Sequence, residues 1–234
     1  SNFSQQCSLG AVALSFGNQL SEAHRQLRRI AITIYRRGSA SGNGTMSKEI
    51  VLCFLPLDSE LLERSMLNWA AGKIAPRRRY AAAKSKPMVH VEIWLKDGSD
   101  SGFAASICYN RTAHYIKKNF SRKSWNFRSL YVTEQQFKKL QLFLSAQKGA
   151  PFNRMGFYLL GLGLRVSGQW AERFGWRRRF FCAELIIAAL KAADCLPKTN
   201  SISTVAHPEE LYQYTSLIST PTTIRDYSED KVRY

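Results

Sequence analysis

From Met88 to Leu95 the chain alternates: Val89, Val91, Ile93 and Leu95 fall on one side, and Met88, His90, Glu92 and Trp94 on the other. This is the two-residue period of a β-strand with one face in a core. Phe103 to Tyr109 alternates again, with Phe103, Ala105, Ile107 and Tyr109 on one side, and the intervening KDGSDSG holds the turn pair Asp97-Gly98. The two segments predict a hairpin. If the apolar faces coincide and the loop centres near Gly98, paired positions sum to about 196. That register sets Ser106 opposite His90, Ala104 opposite Glu92 and Cys108 opposite Met88, so the polar face carries one histidine among small residues.

Ile50 to Leu55 reads as a short apolar strand, and Asp58 or Ser59 can cap a helix carrying Leu62, Met66 and Trp69 on one face, ended by Gly72. Asn126 to Val132 predicts another strand. Thr133 to Gln136 has the T-x-x-Q form of a capping box, opening a helix to about Gln147 with Phe137, Leu140 and Leu144 buried, ended by Gly149 and Pro151. Phe152 to Trp176 is aromatic and glycine-rich without a clear period, and suits a lid or a substrate-facing wall. Phe180 to Asp194, FFCAELIIAALKAAD, predicts a helix apolar on nearly every side. A last helix runs from Pro208 to Tyr214, with His207 either capping it or facing water. No internal repeat is present.

At 234 residues, 45% hydrophobic and 12% aromatic, the chain is large and apolar enough for one ordinary domain with a tail. The first 45 residues hold five arginines and one acid, Glu22, and resemble an organelle transit peptide, with Ser39 to Thr45 as a flexible linker. A basic segment over 1–45 and a folded domain over 46–234 follow as the expected division. The formal charge of +17 gathers at residues 73–86, at 111–128, and at Arg173 and Arg177 to Arg179. Such a surface attracts nucleic acid, anionic membrane surfaces and acidic substrates alike, and serves equally as a solvated face. Phe120, Trp125 and Phe127, interleaved with Lys117 to Arg128, fit a single-stranded nucleic-acid platform. The five cysteines form no CxxC pair and are odd in number, which argues against a disulfide framework or zinc knuckle and points to an intracellular, reducing compartment. The longest apolar stretch, Met155 to Leu164, is about half a spanning helix, so no transmembrane segment is expected.

The candidate chemistry lies in Cys182. At the first turn of its helix the sulfur meets unpaired backbone N–H groups, an environment that favours the thiolate, and Arg177 to Arg179 would act the same way if they faced it. A thiolate attacks carbonyls, and it needs an imidazole nearby to pass the proton to the leaving group. Taken alone, Cys182 reads as a small buried hydrophobe and His90 as a hydrogen-bonded core residue. Glu184, two positions after Cys182, turns away from the sulfur and reads as structural. His114 reads as part of a basic loop. Four histidines without HExxH imply neither metal nor other cofactor.

In combination these segments resemble a family. HVEIWLKDG at His90 and FFCAELIIAALKAA at Cys182 are similar to the circularly permuted papain-fold proteins of the NlpC-like superfamily, which include YiiX-like hydrolases and the lecithin:retinol acyltransferase group. There a histidine opens a hairpin strand and the cysteine follows at the start of a buried helix, often as F-x-C-S-E-L; Ala183 stands where serine is usual. GAPFNRMGFY and HPEELYQY also look like the family, so the resemblance covers Met88 to Tyr214. It implies an α+β, permuted papain-like fold, an antiparallel sheet packed against the cysteine helix, and a cysteine hydrolase (thiol protease or amidase) or acyltransferase acting on peptide, lipid or other acyl carbonyls. In the implied site Cys182 attacks, His90 moves the proton, and Ser106 or Glu92 orients the ring. A basic nucleic-acid-binding protein and a catalytically inactive papain-like scaffold are the alternatives.

Overall fold

The run IVLCFL has apolar residues on both sides of the chain, which suits a strand covered on two faces. In the computed structural model it lies in β1 (Lys48–Pro56), next to β2 (Met88–Lys96) in a five-stranded sheet with β3 (Gly102–Ser106), β4 (His114–Lys118) and β5 (Asn126–Val132), in the order β4-β3-β2-β1-β5. All pairings are antiparallel. The structure describes residues 47–62, 86–96, 101–121, 123–197 and 202–218, all within the unit Thr45–Tyr234. The basic segment 1–45, the helix expected around Met66 and Trp69 with its end at Gly72, the Arg77 to Arg79 cluster and the Asp97-Gly98 turn lie outside the described residues.

The α+β class expected from the sequence is present. Helices α1 (Glu134–Ala146), α2 (Arg154–Leu160), α3 (Cys182–Ala192) and α4 (Pro208–Ile218), with a 3-10 segment at Gly168–Phe174, complete the described elements. Helix α3 packs on β2 and touches α1 and α4. The main core joins Ile50, Leu52 and Phe54 of β1, Val91, Ile93 and Leu95 of β2, and the buried side chains of α3. The opposite face forms a second core from Val51, Cys53, Leu55, Trp94, Ala104, Phe120 and Trp125. Helix α1 begins as predicted: Thr133 Oγ1 accepts from the Gln136 backbone N–H at 3.2 Å, and the Gln136 side chain accepts from the Thr133 N–H at 2.9 Å. Its last carbonyls receive a cation, since the Arg177 guanidinium donates to the Ala146 and Lys148 oxygens. Asp194 and Asn110 adopt left-handed backbone at helix α3's end and in the turn after β3.

Three expectations on the hairpin are corrected. Ile93 pairs with Ala105 and Trp94 with Ala104, so the register lies two residues from the expected one, and Ser106 and Ala104 do not stand opposite His90 and Glu92. A shift of two preserves the face of every side chain, so Ser106 still shares a face with His90. Strand β3 ends at Ser106, so Cys108 has no strand partner at Met88. Met88 itself joins the main core rather than the His90 face, because the β1–β2 register shifts between Leu55 and Pro56. A proline supplies no N–H to continue the ladder.

Candidate active site

His90 sits beside that irregularity, where a bulge increases strand twist and re-aims side chains. By alternation its neighbours are Glu92 and Trp94. Cys182, the first residue of α3, nevertheless acts on the His90 ring and raises its pKa. The edge of Trp125 packs against it at 6.1 Å between ring centroids. His90 Nε2 lies 3.4 Å from Ser106 Oγ and 3.5 Å from Glu92 Oε1. All four site residues expected from the sequence, Cys182, His90, Ser106 and Glu92, thus converge.

The hydrogen-bond inventory fixes the imidazole's tautomer. Ser106 has one hydroxyl proton and donates it to the Val91 carbonyl at 2.7 Å, so toward His90 it can only accept. Glu92 as a carboxylate also only accepts. Both therefore call for a proton on Nε2, which leaves Nδ1 as the basic nitrogen of the neutral ring. Burial alone would lower the His90 pKa. Cys108, Cys182 and Glu92 outweigh it and hold the ring well above its ordinary value.

Glu92 is 1% exposed, and its partners besides His90 are a lysine and a second histidine. Lys118 Nζ lies 2.8 Å from Oε1 and His114 Nε2 lies 3.4 Å from Oε2. Burial would push its carboxyl up, but the His114 and His90 contacts and the Lys118 ammonium hold it well below the usual carboxylate range. His114 is therefore in strand β4, not in a basic loop, and the polar face carries two histidines. Lys118 is buried and also stands over the rings of Phe120 (4.8 Å) and Trp125 (5.2 Å). Because those two rings are buried in the second core, they offer no stacking faces to a nucleic-acid strand.

The start of α3 is held from outside. Phe180 pairs with Phe152 and its carbonyl accepts from the Asn153 N–H at 2.7 Å. Asn153 caps α2 through Gly156 N and donates to Glu184 Oε2 at 3.1 Å and to the Val166 carbonyl. Glu184 is structural, as the sequence suggested: its other oxygen accepts from Ser167 Oγ at 2.7 Å and Gly168 N at 2.8 Å. Burial still dominates and raises its carboxyl pKa. Gly168 approaches Arg179 so closely that a Cβ there would fall 1.9 Å from the Arg179 carbonyl oxygen. Phe181, which precedes Cys182, makes no side-chain cap to the helix, so the first N–H groups of α3 are not closed by a capping side chain. Arg177 and Arg178 do not serve the sulfur: the first bonds the end of α1, the second lies 4.8 Å over the Phe180 ring. His207 caps α4, with Nδ1 accepting from Glu209 N at 3.1 Å while Glu210 accepts from His207 N at 2.8 Å. Glu209 in turn accepts from Met88 N at 2.8 Å, which anchors α4 to the strand carrying His90.

Sequence reasoning missed Lys118, Asn153 and Ser167. The signal for Lys118 was the alternating HYIKKNF itself, whose last lysine falls on the face of the buried carboxylate. Among the described residues no group of three His, Cys, Asp or Glu side chains is placed to hold a metal ion, and no helix is long and apolar enough to cross a membrane. No protein-family model, curated protein or solved structure matches the chain.

Proposed function

We propose that this chain is a papain-like thiol hydrolase or acyltransferase, with Cys182 as nucleophile and His90 as acid–base. The reading is supported by the coupling of the His90 imidazole to Cys182, which raises its pKa, while its Nε2 faces only the acceptors Ser106 and Glu92. In the proposed reaction Cys182 Sγ attacks an amide, ester or thioester carbonyl and the sulfur's proton goes to His90 Nδ1. The carbonyl oxygen takes negative charge and is met by the N–H of Cys182 at the uncapped helix start. Collapse of the adduct expels the amine, alcohol or thiol, which takes the proton from His90 and leaves a thioester on Cys182. Water, or a second nucleophile in a transferase, then attacks that thioester, with His90 removing its proton. Glu92 supports the imidazolium from the Nε2 side, with Ser106 as the second acceptor.

The test is labelling of the intact protein with iodoacetamide across a pH series, read by peptide mass spectrometry. Cys182 should react fastest, and His90→Ala should abolish that advantage. Cys195 is an internal reference, since burial, aided by Asp194, pushes its thiol up to about 12. If Cys182 labels no faster than Cys195, the reading fails.

A further inference from the structure

Leu162 (76% exposed), Leu164 (54%), Phe174 (69%) and Trp176 (56%) all lie within fifteen residues of one another. Isolated exposed apolar side chains are ordinary. These are gathered in one segment, and three of its rings touch: Trp170 and Trp176 are 5.9 Å apart, Trp170 and Phe174 6.2 Å, Phe174 and Trp176 6.0 Å. The backbone holds them in place. Gly175 takes a φ of 72°, which lets Trp176 N bond Ala171 O at 3.0 Å, and Gly163, at 79°, lets Leu164 N bond Leu159 O at 3.0 Å. The rings are presented to solvent by folded structure.

We propose that the segment from Leu162 to Trp176 is a docking surface for an anionic lipid bilayer. Exposed aromatic and leucine side chains enter the headgroup boundary, and neighbouring cations bind anionic headgroups. Arg173 supplies a cation here beside the acid Glu172, and exposed Arg177 adds its charge at the edge while bonding the end of α1; Arg165 is committed to Glu210. A second copy of the chain suits the surface poorly, since each copy carries +17. A nucleic-acid strand does too, because Trp170 meets Phe174 and Trp176 edge to face, at 69° and 75°, and Phe174 and Trp176 are tilted by 40°, so the three rings form no parallel stacking platform. The surface joins the catalytic helix through Ser167 and Gly168, both bonded to Glu184, so a docked bilayer would lie against the segment that braces Cys182. Docking does not depend on the proposed chemistry.

The full chain is sedimented with vesicles of phosphatidylcholine, alone and mixed with phosphatidylglycerol, at low and high salt. Wild type should bind the mixed vesicles and keep part of that binding at high salt. Phe174→Ser/Trp176→Ser should weaken binding roughly tenfold or more, with the residue, carried by charge, lost at high salt. Leu162→Ser/Leu164→Ser is a second variant with the same expectation, and Leu142→Ser, on an equally exposed leucine of α1, should bind as wild type. The proposal is overturned if both double variants bind as wild type. It is equally overturned if no form binds vesicles and the double variants instead lose self-association in sedimentation velocity, which would assign the surface to a second copy.

Discussion

Glu92→Gln keeps the shape of the buried side chain and removes its charge. The carboxylate faces Lys118 at 2.8 Å and His90 at 3.5 Å. At an effective dielectric near 20 these contacts are worth about 6 and, with the ring protonated, about 5 kcal/mol of gross attraction. Lys118 is the nearest partner, with His114 at 3.4 Å beside His90, and desolvation of the ions offsets most of the gross figure. After substitution an ammonium 6% exposed loses its contact with the Glu92 carboxylate, and removing one member of a buried ion pair costs about 3–5 kcal/mol. Against a total stability of about 5–15 kcal/mol, the variant should fold with a much lower urea midpoint at pH 7 and an unchanged slope. Lys118→Met should cost a similar amount, and the double variant much less than the two together, since neither charge is then stranded. The carboxyl is held below its ordinary range, so its contribution is complete above the unfolded value of about 4.3 and is lost as pH falls through the folded one. Glu92→Gln should flatten that acid-side loss. A cost below about 0.5 kcal/mol, or strict additivity with Lys118→Met, would refute the counter-ion assignment.

Three further outcomes follow from the same geometry. His90 is held above its ordinary value, so its contribution is full below about pH 6.5 and is lost as pH rises through the folded pKa; urea midpoints measured upward from neutral pH should fall more for wild type than for His90→Gln. Ser106→Ala strands the Val91 carbonyl and removes an Nε2 acceptor, which should cost about 1–3 kcal/mol and move the Cys182 labelling profile toward that of His90→Ala. Gly168→Ala forces a methyl against the Arg179 carbonyl, so it should cost about 1–3 kcal/mol and slow Cys182 labelling, although position 168 does not belong to the catalytic set.

The faces of the hairpin were legible because alternation depends only on parity. Its register was not, because loop length enters as a whole number of residues and a two-residue error leaves every face intact. That is why Ser106 fell on the correct face with the wrong partner. Strand β4 escaped because an edge strand of five residues, HYIKK, carries the lysines that keep such edges from pairing, and so resembles a basic loop. Glu92 was legible only as a candidate partner of His90, because the other residues that neutralise it, His114 and Lys118, come 22 and 26 positions later. The Phe152 to Trp176 stretch has no readable period because it is made of a seven-residue helix, tight turns and a seven-residue 3-10 segment, each too short to show one, tied together through Glu184, Arg179 and Phe180. Helix α1 was the opposite case, with both halves of its cap inside four residues.

Glu184 and Cys182 occupy the same first turn of α3, one fastened to the segment before the helix and the other turned to His90. The turn acts as a small lever whose fulcrum lies outside the proposed catalytic residues. A change at Asn153, Ser167 or Gly168 would tilt Cys182, the proposed nucleophile, without touching it, so the aromatic segment and the cysteine turn are mechanically coupled. Transplanting FFCAEL alone into another scaffold would carry the sulfur without the means of aiming it.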